Sequence, residues 1–202
     1  MPEDDDKTPA LVSAFHTLAN ERLFETRTVL LFGEITPRLA ETTAAQLLAL
    51  AARGEQPIQL FINSPGGHVE SGDSIYDVVR FIAPEVRAIG SGWVASAGAL
   101  VFAACARHNR FALPNTRFLL HEPSGGIRGQ AADIEIEARQ VLFMRSRLNA
   151  IFAQATGQSE AKIAQDTERN HWMTASEAVD YGLVGRIVRS ASDLGPSIEG
   201  AR

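Results

Sequence analysis

The chain has 202 residues, of which 45% are hydrophobic, and its formal net charge is −5 at pH 7. That length can bury one full hydrophobic core, so a single domain is expected. The acidic balance and the lack of any Lys/Arg cluster argue against a surface that binds nucleic acid or an anionic membrane.

Three features predict a soluble cytoplasmic protein. Cys105 is the only cysteine, and a single cysteine cannot form an internal disulfide, which favours a reducing compartment. Residues 1–10 lack the basic and apolar regions of a secretory signal, and no apolar run approaches the ~18 residues of a membrane span. The acidic segment 1–20 is expected to be mobile at its start.

The first third of the chain alternates between strand and helix patterns. A weak amphipathic pattern at 11–23 precedes a strand at 28–33. Thr36-Pro37 opens a helix that stops near Gly54. The next elements are a strand at 57–63, a turn at Ser64-Pro65-Gly66-Gly67 and a helix at 71–81.

The stretch 86–107 is the centre of the pattern. Val86 to Ile89 predicts a buried strand, and Ala97 to Ala106 predicts an apolar helix. Between them lies Ser96, whose hydroxyl is placed at a helix N-terminus, where unpaired N–H groups favour negative charge. Nucleophiles often occupy such a corner, although serine is also a common helix N-cap.

The second half continues the alternation. Two short extended runs lie between Phe111 and His121, and a long helix at 130–154 ends at Gly157. Ser159 caps a short helix, and Thr174 and Glu177 form a capping box. The last strand is expected at 183–188, with a frayed tail from residue 190. Together these elements predict an α/β fold with helices flanking a mostly parallel sheet.

Acyl transfer needs a nucleophile, a base and N–H donors for the oxyanion. His121 closes a predicted strand before a Pro/Gly turn, which makes it the candidate base, with a structural role as the alternative. The glycines after Ser64 let backbone N–H groups converge on an anion. The other four histidines lie in more polar surroundings; they are His16, His68, His108 and His171.

Neither a cofactor nor a metal is expected. Residues 90–95 (GSGWVA) match a dinucleotide fingerprint, but that motif requires an acidic residue about 20 positions later. The first such residue is Glu122. The sequence has no H-E-x-x-H motif and no paired cysteines.

Six motifs in order resemble the proteolytic subunit of the ATP-dependent Clp protease. They are residues 62–67 (INSPGG), 71–77 (SGDSIYD), 95–99 (ASAGA), 113–115 with 121–123 (LPN, HEP), 166–169 (DTER) and 177–184 (EAVDYGLV). The resemblance covers roughly residues 20–188. It implies a ClpP/crotonase-like fold with a single domain at 21–188, a protruding handle at 117–154 and a C-terminal tail at 189–202.

The same resemblance implies the site. Ser96 is the implied nucleophile and His121 the general base, with an oxyanion hole formed by the backbone N–H groups of Gly67 and Ala97. The family pattern places Asp at the third triad position, where this chain has Asn170. An Asn oxygen can orient the histidine but brings no charge to stabilise the imidazolium, so weak activity is expected.

The resemblance also implies an assembly and its partners. These are stacked heptameric rings, a hexameric AAA+ unfoldase that uses the ATP, and polypeptide substrates; a ClpP paralogue is a further partner only in the mixed assembly that Asn170 suggests. Arg169 is expected to pair with Asp133 of the facing ring. Phe61, Phe81 and Phe111 fit the family's apolar surface pockets, while Gln59 stands where an aromatic residue is common.

Three functions follow. The first is a serine endopeptidase subunit with a Ser-His-Asn triad. The second is a weakly active or inactive ring subunit that structures a mixed assembly. The third is a crotonase-like acyl-CoA enzyme, against which the pairing of Ser96 with His121 argues.

Overall fold

A computed structural model describes residues 8–123 and 128–194 of the chain. The elements of the first half are α1 (Thr8–Glu25), β1 (Thr28–Phe32), α2 (Pro37–Ala52), β2 (Ile58–Ser64), α3 (Val69–Phe81) and β3 (Val86–Ala95). Those of the second half are α4 (Ala97–Ala103), β4 (Arg110–Ala112), β5 (Arg117–Leu120), α5 (Ala131–Thr156), α6 (Glu160–Thr167), β6 (His171–Thr174), α7 (Ala175–Tyr181) and β7 (Arg186–Ile187).

One mixed sheet carries the fold. Strands β1, β2, β3, β4 and β7 lie side by side in that order and are parallel. Strand β5 pairs in parallel with the end of β3, and β6 pairs with β5 in antiparallel fashion. Apolar side chains such as Leu60, Phe102 and Phe118 are fully buried in the core. The predicted α/β fold with a mostly parallel sheet is confirmed.

Strand β3 is bent by a bulge at the segment that matches the dinucleotide fingerprint. Ile62 pairs with Gly90 and Ser64 pairs with Val94, so β3 advances by four residues over the length in which β2 advances by two. Gly92 lies in the bulge with a φ of +67°, a conformation that favours glycine. The first half of β3 therefore pairs with β4 and its last residues with β5.

Several predicted boundaries are wrong. Strand β3 continues to Ala95, α4 ends at Ala103, and the last strand is only Arg186–Ile187. The tail is ordered through Leu194, which is buried. The Asp193 carboxylate accepts hydrogen bonds from two preceding backbone N–H groups and so fixes the turn.

The predicted helix caps are confirmed. Gly157 ends α5 in the left-handed conformation, Ser159 caps α6, and Thr174 and Glu177 form a capping box on α7. Helix α1 covers the weak pattern at 11–23 and begins at Thr8. The predictions for residues 1–7, for the turn at 124–126 and for the tail beyond 194 lie outside the described residues.

Helix α5 has two different halves. Leu148 and Phe152 are buried, because this end of α5 packs on α4 and α6. The sequence places Ile134, Val141, Leu148 and Phe152 at helical spacing, which predicts one exposed apolar face on α5; this prediction is wrong for Leu148 and Phe152. The large apolar side chains that α5 exposes are Ile134, Ile136, Leu142 and Phe143. No helix in the described residues is long and apolar enough to cross a membrane.

Candidate active site

Ser96 lies at a strained corner between β3 and α4. Its φ of 54° and ψ of −123° are unusual for a residue with a Cβ, and such strain costs about 1–3 kcal/mol. Its backbone N–H donates to the Leu119 carbonyl at 3.0 Å. The side chain makes no capping hydrogen bond, so the hydroxyl is not used as an N-cap. The corner thus presents a free hydroxyl.

Two glycines allow neighbouring segments to approach this corner. A Cβ on Gly66 would lie 2.6 Å from the Cβ of Ser96 and 3.0 Å from its Oγ. A Cβ on Gly98 would lie 3.1 Å from the Cβ of Ser64. The loop after β2 therefore packs directly on the serine.

The pairing of β3 with β5 brings His121 close to Ser96, and the pairing of β5 with β6 brings Asn170 close to His121. Ala95 pairs with Leu119, so the residues that follow β3 and β5 leave the sheet side by side. In the antiparallel pair, Leu120 lies opposite His171. His121 follows Leu120 and Asn170 precedes His171, so these two residues lie next to each other at the end of the strand pair.

Burial lowers the pKa of His121 below its usual value. The hydrogen bond with Asn170 and the negative charge of Glu122 act in the opposite direction and raise that pKa. The net direction is downward, so the neutral imidazole, which can accept a proton, is favoured near neutral pH.

Ser96 and His121 line one narrow cleft. The rest of its wall is apolar and comes from three helices and a loop: Val69, Ala97, Leu100, Pro123, Leu148 and Phe152. The sequence patterns did not identify the last two as site residues, because their helical periodicity is also typical of ordinary core packing.

The two predicted oxyanion donors adjoin residues of this corner, since Ala97 follows Ser96 and Gly67 follows Gly66, which packs on Ser96. Gly67 has a φ of +146°, and a Cβ there would lie 2.4 Å from the Ile35 carbonyl oxygen. Within the described part of the chain, neither N–H donates to a protein acceptor. Unpaired donors of this kind can bind an oxyanion.

Glu122 is a further charged neighbour of His121. Its Oε2 lies 2.9 Å from Nε of Arg145 on α5, and its backbone N–H donates to the Thr167 carbonyl at 2.9 Å. Sequence spacing gave no signal for this ion pair, because its partners come from a loop and a distant helix.

The other candidate residues lie elsewhere. Arg169 and Asp133 are both exposed, and their pairing between rings stays a prediction. Of the residues assigned to surface pockets, Phe81 is 81% exposed, but Phe111 is buried at 2%. The surface role of Phe111 is therefore wrong, because its ring packs with Ile89 and Val188 beneath the sheet.

The other described histidines have ordinary contacts. His68 caps α3, and its Nδ1 lies 2.8 Å from the Ser71 hydroxyl. His171 packs against the Tyr181 ring, and His108 is an exposed neighbour of Glu85.

A strained serine, an adjacent histidine, an amide behind the histidine and two free N–H groups are typical of serine hydrolases. Comparison with known proteins identifies the family of serine hydrolases to which the chain belongs. The family model described as Clp protease matches residues 14–191. The chain therefore belongs to the Clp protease family, a family of serine-type endopeptidases.

Individual relatives support the same family assignment. The chain is 56% identical to the ATP-dependent Clp protease proteolytic subunit 3 of Rhizobium etli, over 95% of this chain and 98% of the relative. It is 53% identical to proteolytic subunit 2 of Pseudomonas aeruginosa, over 86% and 87%.

The chain is also similar to two solved structures of ClpP1 from Listeria monocytogenes. One is an asparagine-to-aspartate mutant, with a TM-score of 0.82 and 47% identity. The other has a TM-score of 0.80 and 46% identity. Each comparison covers 87% of this chain and 99% of the solved chain.

Proposed function

We propose that this chain is an endopeptidase subunit of an ATP-dependent Clp protease, acting through a triad of Ser96, His121 and Asn170. One observation carries the proposal. The uncapped Ser96 hydroxyl and the His121 imidazole line the same cleft, and Asn170 lies next to His121 at the end of the β5–β6 pair.

In this proposal, Ser96 Oγ attacks the carbonyl carbon of a peptide bond while His121 takes the hydroxyl proton. The N–H groups of Gly67 and Ala97 bind the oxyanion of the tetrahedral intermediate. His121 then gives the proton to the leaving amine. Water, activated by the same histidine, hydrolyses the acyl-enzyme.

Asn170 makes this triad weaker than one with aspartate. Its amide oxygen can accept from the imidazole and hold the ring, but it carries no charge to stabilise the imidazolium. In a chymotrypsin-type triad, the change from Asp to Asn lowers kcat about 10⁴-fold. We therefore infer a slow peptidase, in which the Glu122 carboxylate supplies part of the missing charge.

The proposed assembly consists of stacked heptameric rings that receive polypeptides from a hexameric AAA+ unfoldase in the cytoplasm. Two observations support it. The relatives are named as subunits of an ATP-dependent protease, and α5 exposes four apolar side chains. The unfoldase, rather than this chain, uses the ATP. Arg169 and Asp133 are the proposed inter-ring pair.

A second candidate is a weakly active subunit that structures a mixed ring with an active paralogue. Asn170 is the observation that favours it. The two candidates differ in the chemistry of Ser96 when the chain is assembled without a paralogue.

Labelling with a fluorophosphonate tests the proposal. The purified, assembled protein is incubated with the probe, and the modified residue is located by peptide mass spectrometry. We expect the label on Ser96, its loss in Ser96→Ala and its retention in Ser91→Ala, a matched hydroxyl deletion on the β3 bulge. An assembled protein that does not react at Ser96 would favour the second candidate.

A further inference from the structure

A second cavity, with a volume of about 360 Å³, lies at the C-terminal end of α4, whereas Ser96 precedes the N-terminal end of that helix. It is formed where α3, α4 and α5 end and β4 begins. Three arginines line it, Arg80, Arg107 and Arg110, and no acidic residue is present among the described residues of its wall. In a chain whose net charge is −5, this is a local concentration of positive charge.

Arg110 is the buried member of the three. Its side chain is only 2% exposed. One guanidinium nitrogen, Nη2, donates to the Ala155 carbonyl at 2.5 Å. Nε and Nη1 have no hydrogen-bond partner in the described part of the chain. A buried charge with unpaired donors is costly, so a counter-ion is expected.

The charges around Arg110 do not neutralise it. Burial, together with repulsion from Arg107, lowers the Arg110 pKa to about 10, and only the Cys105 thiol acts in the opposite direction. That thiol is itself buried, which raises its pKa to about 12, so it carries no charge near neutral pH. The cation thus lacks an anionic partner among the described residues.

Arg80 and Arg107 are exposed and stand at the mouth of the cavity. Each makes one long contact with a carbonyl oxygen, Arg80 to Ala104 and Arg107 to Val179, both at 3.4 Å. Contacts of this length are weak. Both guanidinium groups are therefore free to turn towards a ligand.

We propose that this cavity binds a phosphate-type oxyanion, with Arg110 at its base and Arg80 and Arg107 closing over it. The planar guanidinium group offers paired N–H donors that match phosphate oxygens. A water molecule takes up about 30 Å³ of the liquid, so the cavity has room for an oxyanion together with water.

The position of the cavity connects it to the active site without using any residue of that site. Helix α4 begins immediately after Ser96, and α5 carries Leu148 and Phe152 of the cleft wall. The cavity lies at the far end of α4 from Ser96, and Ile151 of its wall directly precedes Phe152 on α5. A bound oxyanion connects α4 and α5 to each other and to β4.

Isothermal titration of the assembled protein tests the proposal. Orthophosphate is titrated at constant ionic strength, with sodium chloride as the reference, and O-phosphoserine is titrated separately to distinguish a free anion from a phosphoryl ester. We expect saturable phosphate binding that Arg107→Gln weakens about tenfold or more, since one charge-assisted contact is lost. Arg53→Gln, the same charge change on an exposed helix end, is the control and leaves the affinity unchanged.

A second readout is the thermal unfolding midpoint, which rises with phosphate concentration if the folded state binds it. This rise is smaller in Arg80→Gln. Saturable binding of either phosphate compound supports the site and identifies the source. Binding of neither compound beyond chloride, or equal affinity in Arg107→Gln and Arg53→Gln, means that the cavity holds only water and overturns the proposal.

Discussion

Asn170 lies beside His121 because Leu120 and His171 pair across β5 and β6. This register fixes which residue stands behind the imidazole, independently of whether that residue is charged. The fold thus preserves the geometry of a triad while the sequence removes its negative charge. The chemistry of the site depends on that single substitution from the family pattern.

Asn170→Asp is expected to raise the peptidase rate. A carboxylate beside the imidazole stabilises the imidazolium that forms when Ser96 attacks. It also raises the His121 pKa, because a neighbouring negative charge favours the protonated form. More histidine is then protonated at a given pH and unable to act as a base, so the acid limb of kcat/KM moves to higher pH.

The measurement is a pH–rate profile from about pH 5 to pH 9 with a fluorogenic peptide. Assembly is checked by sedimentation. Asn149→Asp, the same exchange on α5, controls for the added charge. An Asn170→Asp variant that assembles normally but is no faster would show that Asn170 does not serve as the third triad member.

Glu122→Gln is expected to act in the opposite direction on the His121 pKa. The Glu122 charge raises that pKa, so its removal lowers it further and moves the acid limb to lower pH. The plateau rate falls, because the imidazolium loses a negative charge that favours it. Glu160→Gln, on the exposed start of α6, is the matched control, and identical profiles for both variants would rule out an electrostatic role for Glu122.

Much of the site could be predicted from the sequence, because its residues lie at the ends of strands and helices. Ser96 stands between a β-branched strand and an apolar helix, and His121 closes a strand before a proline, so local patterns marked both. The order of six motifs then supplied the roles. Asn170 was found only through the resemblance, since no local pattern distinguishes it.

The remaining features depend on tertiary contacts. The β3 bulge at Gly92 forms because β3 must pair with both β4 and β5, and this requirement has no local signature. Phe111 looks like an exposed strand residue but is buried by the tail, whose Leu194 packs in the same cluster. Glu122 contacts Arg145 only once α5 has packed against the rest of the fold.

The strain at Ser96 predicts a difference between two variants that both lack the hydroxyl. Ser96→Ala keeps a Cβ in a conformation with positive φ, whereas Ser96→Gly removes it. Relief of strain exceeds the entropic cost of glycine, so we expect Ser96→Gly to be about 1 kcal/mol more stable. Chemical denaturation of the two variants measures this, and a lower unfolding midpoint for Ser96→Gly would contradict the strain.

The exposed apolar half of α5 predicts a large oligomer. Ile136 is 54% exposed and Phe143 is 66% exposed, and such side chains on one helix need a covering partner. Ile136→Lys is expected to shift the sedimentation profile to smaller species. The control is Glu137→Lys, at the next position of the same helix, which changes the charge more than Ile136→Lys does but removes no apolar area. Wild-type protein that sediments as a monomer at micromolar concentration would refute the assembly.

The most direct test of the account is peptide hydrolysis by Ser96→Ala. Loss of one oxygen removes the nucleophile while the cleft and its assembly stay intact. The variant is assayed at matched particle mass against wild type and Ser91→Ala. Because the triad already lacks the aspartate charge, we expect kcat/KM to fall by roughly 10²-fold for Ser96→Ala and to stay unchanged for Ser91→Ala. Hydrolysis by Ser96→Ala at the wild-type rate would contradict the assignment of Ser96 as the nucleophile.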